Sequence, residues 1–383
     1  MSDEQIPFGR PMLDNDEIDA VVRVLSGPIL VHGPVTREFE QAFAERIGTK
    51  YAVSVASCTA GLHLSLLAVG IRPGDEVIVP AMTHVATAHA IEYCGAKPVF
   101  VDATDYNGNV DPVALEEATT EQTQAIMVVH YLGLPCDMDA IVATADRIGA
   151  SIVEDCALAL DATYGGRKVG TLGRTGCFSF YPIKHMTTIE GGMVTTDDEM
   201  IASTVAQRKA FGYDRTVGER SKPGIYDVTA LGYNYRMSEV EAAVGLAQLG
   251  KLDQHQVTRA GNYRMLQDSL GEIEEVTVFD STQGSSVSSH YCLNAILPRD
   301  GRIDRDAIVG ELRSAGVGTS VHYPRAVPLM GFYREKYGYR EGDFPVAEWL
   351  AAQTISLPVG PHLRPQDVRR ISEVFKTAIA RAC

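Results

Sequence analysis

The chain has 383 residues, of which 45% are hydrophobic and 22% charged, and a formal net charge of −15. That length exceeds the size at which one hydrophobic core usually stops growing, so two domains are expected, and the composition suits a soluble globular protein. The acidic balance argues against a nucleic-acid surface, no apolar run is long enough for a membrane helix, and Met-Ser-Asp-Glu-Gln at the start is not expected to be a secretory signal.

In chain order, the spacing of Ile18, Val21, Val22, Val24 and Leu25 predicts a helix over 16–26 that stops at Gly27-Pro28. Pro34 opens a second helix carrying Phe39, Phe43 and Ile47, with Gly48 as its stop. Short apolar runs at Tyr51–Val55, Glu76–Val79, Pro98–Val101, Ala125–Val129 and Ser151–Val153 read as buried strands. Helical stretches at 60–69, 84–93, 112–118 and 138–148 lie between them, the grammar of βαβ units and a mainly parallel sheet. Strands at Gly176–Phe180 and Met193–Thr195 flank a turn region that ends in Gly191-Gly192. A long helix follows from about 237 past 255, and beyond it strands at 290–297, 318–322 and 354–357 mix with helices at 305–315 and 364–381. The expected division is a large α/β domain over 1–255 and a smaller α+β domain over 256–383. The seven cysteines (58, 94, 136, 156, 177, 292 and 383) show no CxxC pairing and fit reduced thiols in a cytoplasm, with Cys383 incidental.

Ligands of open α/β sheets bind beyond the carboxyl ends of the strands, and three strand ends carry chemistry. Ser57-Cys58-Thr59-Ala60-Gly61 joins a strand to a helix; its hydroxyls and free amides suit an anion, although Ser57 or Thr59 could equally be a plain N-cap. Glu154-Asp155 ends a strand, where a carboxylate can pair with a protonated heterocyclic nitrogen or simply cap a helix. An aromatic strand then delivers Ser179, a turn stiffened by Pro182, and Lys184. A lysine in a partly desolvated pocket has a lowered pKa and can bond covalently to carbonyls, whereas most lysines are ordinary surface residues. No GxGxxG opens a helix after the first strand, Gly165-Gly166 follows no strand–helix junction, and no Walker A loop is present. The ten histidines are scattered without metal-ligand spacing, so no metal is expected, and His63, His84 and His89 read as core, cap or stacking residues.

Taken together these residues resemble the DegT/DnrJ/EryC1/StrS sugar aminotransferases, which have the aspartate-aminotransferase (type I) fold. The resemblance runs from Pro7 to about Pro358 through Gly33-Pro34 with Phe39-Glu40, Ser57-Cys58-Thr59-Ala60, Gly74-Asp75-Glu76, Glu154-Asp155, Ser179-Phe-Tyr-Pro-Ile-Lys184, Glu190-Gly-Gly-Met and Gly232-Tyr-Asn234-Tyr-Arg236-Met. It implies a large sheet sandwiched by helices with a smaller α+β C-terminal domain. It also implies pyridoxal 5′-phosphate cycling through pyridoxamine 5′-phosphate, and transfer of an amino group from L-glutamate to a keto sugar, nucleotide-linked, in polysaccharide or natural-product biosynthesis. By the same resemblance Lys184 would carry the cofactor, Asp155 would pair with its ring nitrogen and His84 would lie over the ring. Ser57, Cys58, Thr59 and Ser179 would hold the phosphate. Asn234 would reach that phosphate from the other subunit of a homodimer. Arg236, His322 and Tyr323 would contact substrate.

One departure is Leu158, where family members often have Gln near the cofactor's 3-oxygen. Sugar dehydratases on the same fold place histidine at the lysine position, and Lys184-His185 are adjacent; the register set by Ser179-Phe-Tyr-Pro182 puts lysine there. A cyclitol aminotransferase is a further alternative. A non-enzymatic regulator is disfavoured by the joint presence of Asp155, Lys184 and Asn234. Sugar choice is expected to depend on loops near 29–33, 211–226 and 322–340.

Overall fold

A computed structural model of the chain describes residues 5–214 and 225–382. Two helices come first. Asp14 and Glu17 form a capping box that opens α1 (Asn15–Leu25). Helix α2 (Pro34–Ile47) starts on Pro34 and ends at Gly48, whose φ of 92° is the left-handed stop a glycine supplies without strain.

The strand–helix alternation then unfolds as β1 (Tyr51–Val55), α3 (Cys58–Ala68), β2 (Glu76–Pro80), α4 (Val85–Tyr93), β3 (Lys97–Val101), α5 (Pro112–Glu117), β4 (Thr123–Val129), α6 (Met138–Ile148) and β5 (Ser151–Asp155). A small hairpin, β6 (Thr163–Tyr164) and β7 (Arg167–Lys168), turns through Gly165 and Gly166, both at positive φ. After it come β8 (Thr175–Ser179), β9 (Gly192–Thr196) and α7 (Glu199–Arg208).

Seven of these strands make one sheet in the order β1-β9-β8-β5-β4-β2-β3. The pairs β2/β3, β2/β4, β4/β5 and β5/β8 are parallel, and β9 runs antiparallel to both β8 and β1. Helices cover both faces, so runs such as Val77–Val79 and Ala125–Val128 are buried throughout, as a parallel sheet requires. The crossovers bring the carboxyl ends of β5 and β8 together with the amino end of α3.

Helix α8 (Glu239–Leu270) is 32 residues long and passes residue 255 without interruption. Ala242 and Leu252 pack with Phe39, Phe43 and Phe180 of the large sheet's surroundings, while Tyr263, Leu266 and Leu270 pack with a second core around Leu293, Leu357 and Phe375. The remaining elements are β10 (Thr277–Val278), β11 (Thr282–Gln283), β12 (Ser286–Val287), β13 (Leu293–Ile296), α9 (Arg305–Ser314), α10 (Gly331–Tyr337), α11 (Pro345–Gln353), β14 (Thr354–Leu357) and α12 (Pro365–Ala382). Strands β10, β13 and β14 form an antiparallel sheet, and β11-β12-β6-β7 a second one that joins strands from early and late in the chain. Ile6 also belongs to the late core, bridging to Val317.

The expected strand at 318–322 is absent. Val317 bridges Ile6 and Ser320 bridges Ser356, one residue each with different partners, so no ladder builds up. The strand read over 290–297 is confined to Leu293–Ile296. Positions 215–224 of the expected specificity loop, and Cys383, lie outside the described residues.

Candidate active site

Asp155 is the last residue of β5 and is 5% exposed. Its Oδ1 accepts from the Ala157 amide at 3.0 Å and its Oδ2 from the Thr87 hydroxyl at 2.9 Å. Among the described residues it has no ion-pair partner, so a buried carboxylate retains acceptor capacity toward the site. Its neighbour Glu154 points to the other face, as successive strand residues must, and is fully buried. Glu154 accepts from the amides of Gly170, Leu172 and Gly173 at 2.7–2.8 Å and from His130 Nε2–H at 3.0 Å. The acidic pair of the sequence is therefore split into one carboxylate at the strand end and one structural anchor. His130, Glu154 and Cys156 form a cluster of metal-type donors, but these internal bonds occupy the Glu154 oxygens, and His130 Nδ1 accepts the Cys136 amide at 3.1 Å.

Lys184 sits on the turn after β8, its amide bonded to the Tyr181 carbonyl at 2.9 Å and its amine 5.1 Å from the centroid of Tyr291. Burial lowers its pKa from the ordinary lysine value, partly offset by Cys58, Asp155 and Cys292 close by. A lowered amine pKa raises the neutral, nucleophilic fraction near neutrality. His185 faces away into a buried position, where Nε2–H donates to the Ser289 carbonyl at 3.0 Å.

His84 lies between β2 and α4 as the N-cap of α4, its Nδ1 accepting from Ala86 N–H at 3.2 Å, and burial lowers its pKa. That contact occupies Nδ1 and leaves the ring on the side of Asp155 and Lys184, whose charges it feels. Tyr323 closes over it, ring centroids 5.9 Å apart. Of the other two histidines, His63 is a core residue and His89 pairs with the Tyr333 hydroxyl at 2.7 Å.

The amino end of α3 is the anion-binding candidate. Ser57 is the N-cap and its hydroxyl accepts the Ala60 amide at 3.1 Å. The Cys58 thiol is buried and points to the Cys177 carbonyl at 3.5 Å, with its pKa pushed well up by burial, so Cys58 offers its backbone N–H and not its sulfur. Gly192 of β9 passes this turn so closely that a Cβ there would lie 2.5 Å from the Cys58 nitrogen. Ser179 ends β8 with its hydroxyl toward the Tyr181 amide at 3.5 Å.

His322 and Tyr323 are held by a closed cycle of hydrogen bonds. The Tyr131 hydroxyl donates to the His322 carbonyl, and Asn294 Nδ2 donates to the Tyr131 hydroxyl at 3.0 Å. Ser356 donates to Asn294 Oδ1 at 2.7 Å, which uses its one hydrogen, so His322 Nδ1–H must donate to Ser356 Oγ at 2.9 Å. Burial pushes the His322 pKa down to about 3, so the ring is neutral and Nε2 is left as an acceptor. Sequence reasoning missed Tyr131, Asn294, Ser356, Thr83 and Thr87, because nothing local marks a polar residue that a tertiary contact will bury. Arg236 stacks its guanidinium 4.6 Å from the Phe211 ring, and Asn234 is exposed beside a bridge to Ala210. Leu158 is buried, and its carbonyl accepts the Ser289 hydroxyl at 2.7 Å.

Residues 11–376 match the DegT/DnrJ/EryC1/StrS aminotransferase family. The chain is 37% identical over 383 residues to the spore coat polysaccharide biosynthesis protein SpsC of Bacillus subtilis, covering 98% of each. It is similar to the PMP-form of Spr1654 from Streptococcus pneumoniae, with a TM-score of 0.93 and 28% identity over 99% of this chain and 100% of that one. It is also similar to DesI solved in the presence of its TDP-sugar product, with a TM-score of 0.89 and 32% identity over 99% and 94% of the two chains.

Proposed function

The chain belongs to the DegT/DnrJ/EryC1/StrS aminotransferase family, and from that premise we propose that it transfers an amino group from L-glutamate to the carbonyl of a nucleotide-linked keto sugar. It is a sugar aminotransferase that uses pyridoxal 5′-phosphate and cycles it through pyridoxamine 5′-phosphate. The observation that carries the residue roles is the convergence of Lys184, with its lowered pKa, and Asp155, a buried carboxylate without an ion-pair partner among the described residues, at the ends of β8 and β5.

The residues fit this cofactor. The α3 amino end offers the amides of Cys58 and Thr59 to a phosphate, with Ser57 and Ser179 beside it, at the positive end of a helix. Asp155 would hold a protonated ring nitrogen, and His84 would lie against the ring face. When bound, the cofactor supplies an electron sink for the charge left at the donor's α-carbon. Lys184 takes the proton from that carbon and later returns one to the sugar carbon that receives the nitrogen, acting as general base and then acid. Tyr323 and the neutral His322 close the site, with His322 Nε2 free to accept a substrate hydroxyl, and Arg236 supplies a cation for the donor or the sugar. His185 is turned into the core and bonded to a carbonyl, which supports the aminotransferase over the dehydratase reading.

Assembly as a homodimer with sites at the subunit interface is supported by the exposure of Asn234 and of Phe211 and Leu231 beside its bridge to Ala210, and by exposed Tyr181 and Ile189 on the turn between β8 and β9 that carries Lys184. The six cysteines among the described residues are free and buried, which suits the reducing cytoplasm, the compartment proposed. No helix among the described residues is long and apolar enough to cross a membrane.

The test is the visible absorbance of the purified protein with pyridoxal phosphate, before and after L-glutamate, for wild type and Lys184→Ala. The expected result is a cofactor band that glutamate converts in wild type, and a loss of turnover of about 10³-fold in the variant. A wild-type band that glutamate leaves unchanged would overturn the donor, and a variant band identical to wild type would overturn Lys184.

A further inference from the structure

We infer that Thr87, braced by Thr83, is the positioning residue that sets the Asp155 carboxylate for the cofactor's ring nitrogen, so that one turn at the start of α4 places both ring contacts. The inference rests on the reading of Asp155 as the partner of that nitrogen.

Thr83 and Thr87 are both fully buried, an unusual place for two hydroxyls unless each is bonded. Thr87 Oγ1 donates to Asp155 Oδ2 at 2.9 Å, and Thr83 Oγ1 lies 2.8 Å from Thr87 Oγ1. A carboxylate oxygen only accepts here, so the single hydroxyl hydrogen of Thr87 is committed to Asp155. Thr83 must therefore donate to Thr87, and the chain runs one way, from Thr83 through Thr87 to the carboxylate. Each hydroxyl in such a series polarises the next and strengthens the terminal bond.

The geometry of the carboxylate follows. Oδ1 is held by the Ala157 amide and Oδ2 by Thr87, one donor from β5's own loop and one from α4. Two donors on opposite oxygens fix the plane of the carboxylate and leave lone pairs on its open side for a third. Between the two threonines in sequence stands His84, the cap of α4. The separation of His84 from Asp155 is thereby tied to the same turn that orients the carboxylate, which couples the contact on the ring face to the contact on its nitrogen. Valine has the shape of threonine without the hydroxyl, and it would leave Oδ2 without its protein donor.

The experiment compares Thr87→Val, Thr87→Ser, Thr83→Val and Asp155→Asn as holoenzymes. It measures kcat and KM for both substrates, the pH titration of the cofactor absorbance, and the dissociation constant from titrating apoprotein with pyridoxal phosphate. Thr87→Val is expected to lower kcat by about 10- to 100-fold, the range for groups that orient a ligand, with both KM values within about twofold. Its absorbance titration should shift in the direction seen for Asp155→Asn, and Thr87→Ser, which keeps the hydroxyl, should recover most of the loss. A Thr87→Val enzyme with wild-type kcat and titration, alongside a damaged Asp155→Asn, would overturn the inference. An Asp155→Asn enzyme indistinguishable from wild type would instead overturn the reading beneath it. Where Thr87→Val does not fold, Thr83→Val carries the test: a kcat loss of at least about threefold at unchanged KM supports the chain of bonds, and wild-type kcat refutes it.

Discussion

His63 is 2% exposed, sits among the rings of Tyr93, Tyr233 and Tyr235, and has no hydrogen-bond partner on either ring nitrogen among the described residues. Burial lowers its pKa to about 4, with the charge of Arg208 acting in the same direction. In the unfolded chain an imidazole titrates near 6.5, so between the two values the unfolded state binds a proton that the folded state refuses. Stability is therefore full above about pH 6.5 and falls as pH drops toward 4, by an amount on the order of 2 kcal/mol at about pH 5 from this ring. His290, held to about 4, and His322, held to about 3, add to the loss with the same sign. Urea unfolding at about pH 7 and about pH 5 should show a smaller stability loss in His63→Phe than in wild type, and equal losses would refute the assignment. Residues differ in how far their roles can be read from sequence. Lys184 is legible because Ser179-Phe-Tyr-Pro182 fixes its register on a turn after a strand. The different fates of Glu154 and Asp155 are not, since they depend on which face of β5 meets the 170–173 loop and which meets Thr87.

At the scale of elements, α2 begins on Gly33 and Pro34, neither of which has a side chain able to cap a helix. The missing cap comes from α8. Glu239, 1% exposed, accepts from the amides of Gly33 at 2.9 Å, Val35 at 2.9 Å and Thr36 at 3.2 Å, and from the Thr36 hydroxyl. One carboxylate thus serves a helix start some 200 residues away and lies at its positive end. Glu239→Ala strands three amide donors and should cost about 2–3 kcal/mol in chemical denaturation. A Cβ at position 33 would lie 2.3 Å from Glu239 Oε2, so Gly33→Ala should push the same carboxylate away and destabilise in the same direction. A denaturation midpoint unchanged in both variants would remove α8 as the cap. The two ends of α2 are visible in sequence as Pro34 and Gly48, because those signals are local. The cap from Glu239 is a long-range contact and has no local trace. Strands of two residues, such as β6, β7, β11 and β12, carry no period to detect, and 318–322 resembles a strand through its β-branched Thr319 and Val321 although only Ser320 within it makes a bridge, to Ser356.

Across the whole molecule, the division proposed near residue 255 falls where α8 exchanges one core for another, between Leu252 and Tyr263, so a single rigid helix links the two parts. Ile6 packs with the later part, so the chain's beginning closes over the boundary as well. The same sequence leaves Tyr181 and Ile189 exposed on the turn that carries Lys184, Phe211 and Leu231 exposed beside the Ala210–Asn234 bridge, and Ile29, Leu30 and Val31 exposed between α1 and α2, with Asn234 exposed as well. Apolar exposure of this kind is what a subunit interface leaves on an isolated protomer. The proposed homodimer makes a specific demand on Asn234: it must serve the phosphate bound by the other subunit. Lys184→Ala and Asn234→Ala protomers, carrying different tags and purified as the mixed dimer, test this. If Asn234 acts across the interface, the mixed dimer holds one site with both residues intact and one with neither, and it should recover about half of the wild-type rate while both parent homodimers stay impaired. If Asn234 served its own subunit, every site in the mixed dimer would lack one residue, and the rate would stay at the level of the parents.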